Sequence, residues 1–171
     1  MDLRRDKSCE RLSRPMKKIP GMIFAMLAIS AIASGADNTL GTWKYNTAKS
    51  TAAPGLPPIT SLTTTYEGID GGVRITAKGE RAGGLKIDNL TTARYDGREV
   101  PVTGTGTAFD AVAYKQIDAN TVFTERSKKG GKYNVTVRSV VSADGKTLTQ
   151  TIKGTGADGK KFSAVGVWDR Q

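Results

Sequence analysis

From Gly41 onward, apolar and polar residues alternate in short runs separated by turn residues. The clearest run is Val73 to Gly79, where Val73, Ile75 and Ala77 share one face and Arg74, Thr76 and Lys78 the other. This period of two marks a half-buried strand. Leu62, Thr64 and Tyr66 share a face in the same way within Ile59 to Glu67. Further runs cover Gly41 to Tyr45, Leu85 to Tyr95, Glu99 to Val102, Ala111 to Ile117 and Thr121 to Ser127. Three more span Tyr133 to Val141, Thr147 to Lys153 and Phe162 to Asp169. Such spacing, with turn residues between the runs, predicts an all-β, antiparallel up-and-down meander of about eight to ten strands closing into a barrel.

The turns carry their own signature. Tyr95-Asp96-Gly97-Arg98, Ala143-Asp144-Gly145-Lys146 and Ala157-Asp158-Gly159-Lys160 are near-copies of one phrase. Asp-Gly tolerates the positive φ that a tight hairpin needs, so each copy predicts a two-residue turn. Gly104-Thr-Gly106 reads as a looser connection, and nothing reads as a long helix. Between Asn46 and Pro58, the residues Pro54, Gly55, Pro57 and Pro58 forbid regular structure. That stretch is either a plain crossover or a rim over one end of the barrel. In the last run Phe162, Ala164 and Trp168 share one parity and Val165 and Val167 the other. A strand apolar on both faces has to be covered twice or sit in an interface, and pairing it with the first strand would hide both sheet edges.

Residues 1–35 stand outside this pattern. Lys17 and Lys18 precede an apolar stretch from Met22 to Ala33 with small residues after it. This is the layout of a secretory signal peptide cleaved near residues 33–36. The apolar run of about a dozen residues is short of the ~20 that a membrane-spanning helix needs. Met16 makes a more ordinary start than Met1, so residues 1–15 read as an over-extended frame. The remainder, 36–171, suits a single domain. The leader takes Cys9, the chain's one cysteine, together with seven of the 26 Lys/Arg and three of the 16 Asp/Glu, leaving residues 36–171 at +6. An export signal without cysteine points to a bacterial periplasm or to secretion, where disulfides are permitted but not required.

The positive balance favours anionic partners, an anionic envelope component among them, or is simply a soluble basic surface. Its densest cluster, Lys128-Lys129-Gly130-Gly131-Lys132, reads as a solvated hairpin tip. Scattered charge and few aromatics do not suit nucleic-acid binding. The chain has no histidine, so Ser-His-Asp and Cys-His catalysis, the usual zinc sites and a haem axial histidine are excluded. Glu67, Glu80, Glu99 and Glu125 sit on separate runs and do not form the paired carboxylates of a glycosidase. No catalytic residue, metal or cofactor is assigned.

Gly41-Thr42-Trp43, at the start of the first strand and ahead of a hairpin-linked meander, resembles the calycin superfamily of lipocalins, fatty-acid-binding proteins and avidin-like barrels. The resemblance implies a lipocalin-like barrel in which Trp43 lies across the closed end, with Arg170 as its basic partner. It has limits. The segment from Asn46 to Pro58 is too short and proline-rich for the helical lid of fatty-acid-binding proteins. Their late Arg-x-Tyr falls at Gly166-Val167-Trp168, where the arginine is missing.

Polar residues on inward parities hint at a cavity. Gln150 lies between Leu148 and Ile152, and Ser139 between Val137 and Val141. In Thr121 to Ser127 one parity carries Phe123 and Glu125, the other Val122 and Arg126. Whichever points inward takes a charge with it, and a buried Arg126 would anchor a carboxylate through its planar fork, unless it sits at the strand's open end or pairs with a neighbour. Tyr66, Tyr95, Tyr114, Tyr133 and Trp168 either line a pocket or fill the core. The sequence therefore points to an exported module for a small apolar or amphipathic ligand, with Arg126, Tyr114, Tyr133, Gln150 and Trp168 as contacts. The alternative is a filled barrel acting through its surface as an envelope interaction protein or a protease inhibitor. An interior void of roughly 300 Å³ or more separates the first from the second.

Overall fold

A computed structural model describes residues 36–51 and 53–171. The signal-peptide reading therefore lies outside the described residues. Eleven strands run in chain order: β1 (Gly41–Tyr45), β2 (Ile59–Ile69), β3 (Gly72–Arg81), β4 (Leu85–Arg94), β5 (Glu99–Pro101), β6 (Thr103–Thr105), β7 (Ala111–Asp118), β8 (Thr121–Ser127), β9 (Asn134–Val141), β10 (Thr147–Thr155) and β11 (Lys161–Arg170). They form one antiparallel sheet in the order β5-β7-β8-β9-β10-β11-β1-β2-β3-β4-β6. No helix occurs among the described residues.

First and last strands pair, with Trp43 opposite Arg170 and Tyr45 opposite Trp168. Beyond Tyr45 the chain continues along the edge of β11. Asn46 N donates to Val167 O at 2.8 Å, and Thr51 N to Val165 O at 2.8 Å. The seam of the barrel lies elsewhere, at residues 99–105. This stretch is one bent strand whose first half, β5, pairs with β7 and whose second half, β6, pairs with β4. It thereby bridges the two ends of the sheet.

The seam also explains why there are eleven strands. Gly104 is not part of a loose connection but a strand residue at φ +105, and a Cβ there would lie 2.0 Å from Asp88 O. Glycine in this strand marks a close approach between backbones rather than a turn.

The Asp-Gly phrases form turns, though not of the expected length. Gly145 N donates to Ser142 O at 2.8 Å and Gly159 N to Gly156 O at 2.9 Å, placing each positive-φ glycine at the end of the turn rather than at its centre. The aspartates act alike: Asp96, Asp144 and Asp158 each accept from the backbone N–H two residues on, at 2.9–3.0 Å. These local side-chain bonds make Asp a turn former. The Asp96-Gly97 copy closes no hairpin. It carries the chain across the seam, with Gly97 N bonded to Tyr114 O at 3.0 Å.

Alternation sends 36–40, 70–71, 95–98, 119–120 and 142–146 to one end of the barrel, and 46–58, 82–84, 106–110, 128–133 and 156–160 to the other. The first end is sealed. Trp43 is fully buried there, and its Nε1 donates to Thr39 O at 2.8 Å. Arg170 lies over the indole with its guanidinium carbon 4.1 Å from the ring centre. Its nitrogens donate to the carbonyls of Gly145, Leu40 and Asn38 at 2.6, 2.8 and 2.7 Å. Gly41 has φ +122, and a Cβ there would stand 2.8 Å from Arg170 Nη1. The glycine of Gly-x-Trp thus makes room for the arginine over the tryptophan.

Candidate functional site: a cavity at the open end

Above the sealed end, the barrel encloses a cavity of about 180 Å³ that opens between the loops of the other end. Its apolar wall includes Leu62 on β2, Ile75 on β3, Ile87 on β4, Ile152 on β10 and Trp168 on β11. The segment 46–58 contributes Pro54, Leu56, Pro57 and Pro58, so it is a rim and not a plain crossover. A volume of this order falls below the ~300 Å³ lower bound typical of drug-sized sites. It exceeds the ~150 Å³ that accommodates a benzene ring in an apolar core.

Arg126, Tyr114, Tyr133, Gln150 and Trp168 all line this one cavity, and Tyr66 joins them. Tyr95 does not. It lies towards the sealed end, where its hydroxyl donates to Asp37, beside a water-sized void of about 10 Å³ that Ser139 also lines. The inward parity of β8 is Val122, Thr124 and Arg126, while Glu125 is exposed. Arg126 thus takes the charge into the barrel close to the open end of its strand.

The surroundings of Arg126 are unusual for an interior cation. Among the described residues no carboxylate lies within 4.0 Å of it. Its guanidinium carbon sits 5.1 Å from the centre of the Phe109 ring, which stacks on Tyr133 at 6.1 Å. Nη2 reaches Gln150 Oε1 at 3.5 Å, and Gln150 Nε2 donates to the Tyr66 hydroxyl at 3.3 Å. Arg126 Nε is buried without an acceptor, and so is Trp168 Nε1. Each such orphaned donor costs about 1–3 kcal/mol. Among the described residues no Asp or Glu lines the cavity.

The field of Arg126 reaches the phenols around it. Burial raises the Tyr114 hydroxyl above its ordinary value, against the pull of the Arg126 charge. Burial likewise raises Tyr66, opposed by Arg126 and by the bond from Gln150, and raises Tyr133, opposed by Arg126 and Arg81. These groups stay neutral hydrogen-bonding tips on an apolar wall.

Two contributors escaped the sequence reading. Arg81 continues the apolar parity of Val73, Ile75 and Ala77 beyond Gly79, so that parity carried a readable signal. Its Nη1 donates to Pro57 O at 2.9 Å and its Nε to Gly106 O at 3.3 Å, tying two rim loops together, and desolvation lowers its pKa. Phe109 lies in a loop, where no periodicity could announce it. That loop is fastened by Asp110, which accepts from Lys128 Nζ and Lys129 N at 2.9 Å each. The lysine-rich hairpin tip therefore spends one lysine on holding the rim.

Trp168 owes its position to a missing side chain. A Cβ on Gly166 would fall 2.4 Å from the indole, so the ring lies directly over this glycine. Gly166 is thus a platform for an aromatic wall.

No family model matches the chain. A search of curated proteins likewise gives no match. Among solved structures, the chain is similar to the crystal structure of zebrafish ileal bile acid-binding protein complexed with cholic acid, with 13% identity and a TM-score of 0.49, over 79% of this chain and 100% of that one.

Proposed function

We propose that this barrel binds a small apolar or amphipathic molecule in its interior and serves as an exported carrier or receptor for it. The observation that carries the reading is the open-ended cavity itself: a mostly apolar wall on which Arg126, Gln150, Tyr66, Tyr114 and Tyr133 converge. A few placed polar groups on an apolar wall are the usual composition of a ligand site. With no carboxylate among the described lining residues, the polar groups suit recognition better than proton transfer. The modest volume of about 180 Å³ favours a second reading, a barrel acting mainly through its surface. An inhibitor of the kind that uses a free N-terminal trunk is a poor fit, because Ala36, Asn38 and Thr39 are bonded into the sealed end.

Native mass spectrometry of the protein purified gently from its host tests the reading. The expected result is a small co-purifying mass that organic extraction removes. A bare chain, or a stable complex with another protein, would favour the surface reading instead.

A further inference from the structure

We propose that the occupant of the cavity is a compact organic anion, its carboxylate or similar oxyanion held by Arg126 and its ring or short chain lying against Trp168. This rests on the carrier reading above and narrows it to a chemical class. Among the described residues two guanidinium groups, Arg81 and Arg126, line the cavity, and no acidic residue does. They differ in what they do. Arg81 spends its donors on the Pro57 and Gly106 carbonyls. Among the described residues the Arg126 side chain makes one hydrogen bond, a long one of 3.5 Å to Gln150, and has a buried Nε without an acceptor.

The Nε and Nη2 of an arginine share one edge of the guanidinium, the edge that a carboxylate takes with two parallel bonds. On Arg126, Nε has no acceptor and Nη2 meets only Gln150 Oε1 at 3.5 Å, and the Gln150 amide is committed on its other side to Tyr66. The Phe109 ring lies over the guanidinium at 5.1 Å, and Arg126 is half-buried, where a pairing is stronger than in bulk water. Trp168, which carries the second orphaned donor, lines the same cavity, so its indole offers a surface for the ring or chain of the occupant. The volume sets the size: a single ring or short acyl chain fits inside, while a longer chain has to leave through the mouth.

The chain has two tryptophans, so the indole N–H region of a nitrogen-15 spectrum holds one reporter that lines the cavity and one that does not. Trp168 reports on the cavity and Trp43 on the sealed end. Titration with benzoate and with benzamide, and with octanoate and octanamide, compares anion with neutral isostere. The expected result is that the Trp168 signal moves while that of Trp43 stays, with each carboxylate binding roughly tenfold tighter than its amide. Arg126→Met is expected to bring that ratio close to one. An amide that binds the wild-type protein as tightly as its carboxylate overturns the anion inference and leaves the carrier reading standing. So does a preference that survives in Arg126→Met. If no probe moves the Trp168 signal up to its solubility, the carrier reading falls and this inference with it. The wild-type comparison decides the matter even where the variant does not fold.

Discussion

The sealed end and the cavity above it each set a tryptophan and an arginine into the barrel interior, Trp43 with Arg170 and Trp168 with Arg126, and the two sets are built in opposite ways. At the sealed end Arg170 covers Trp43, and the indole N–H and the guanidinium nitrogens are bonded to backbone carbonyls. Along the cavity wall Arg126 and Trp168 each keep a buried donor without an acceptor. The same residue types form a closure where their bonding is complete and leave unspent donors where it is incomplete. Composition alone does not separate the two; the count of satisfied donors does.

Breaking the sealed pair should have the largest effect. Trp43→Ala removes a fully buried indole and leaves Arg170 over a void, so a loss of about 3–5 kcal/mol is expected in urea unfolding. Arg170→Leu follows at about 1–3 kcal/mol, because the carbonyls of Asn38, Leu40 and Gly145 lose a charged donor. In the cavity wall, Gly166→Ala drives a methyl group into the Trp168 ring. A loss of about 1–3 kcal/mol is expected, with a displaced Trp168 indole signal and weaker ligand binding.

Alkaline titration sharpens the contrast through the tyrosines. A raised folded-state pKa stabilises the fold fully below the unfolded value near 10 and ceases to do so as pH climbs through the folded value. Tyr66, Tyr95, Tyr114 and Tyr133 are all raised. Stability should therefore decline above about pH 10, as the unfolded chain ionises first. Tyr95 is raised by burial and by its bond to Asp37, against the Thr39 bond, and Tyr114 by burial against the Arg126 charge. Neither should ionise at about pH 10 in a phenolate absorbance titration of the folded protein, a result that full titration of every tyrosine near that pH would refute.

The smallest expected effect is on the stability of Arg126→Met. Exchanging an under-bonded interior cation for an apolar group of similar length should leave stability within about 0.5 kcal/mol of wild type, or raise it. A loss comparable to that of Arg170→Leu would mean that Arg126 is a structural residue and would erase the contrast between the sealed end and the cavity.

Much of this architecture was legible because a barrel enforces strict alternation. Once strands were located, Gln150 and Ser139 had to face inward with Leu148 and Val137, and they do. The inward face of β8 was not legible, since Phe123 with Glu125 and Val122 with Arg126 are equally plausible inner sets. Register decides it: Thr124 stands opposite Val137 and Arg126 opposite Val135, both buried on β9. Glycines misled where they serve close approach instead of turning, as at Gly104. Loop residues such as Phe109 were silent because their placement depends on bonds to a hairpin that is remote in sequence, made through Asp110.

The pairing of β1 with β11 also bears on how the chain acquires its fold. Leu40 and Arg170 are bonded across 130 residues of sequence, so sealing the end waits on one of the longest loop closures the chain can make. Hairpins from β2 to β4 and from β7 to β11 can form early from local contacts. The covering of Trp43 belongs to the final ordering step. Topologies dominated by such distant contacts fold in milliseconds to seconds. Joining the two ends covalently and opening the chain within 106–110 would make sequence neighbours of β11 and β1, which should speed that step.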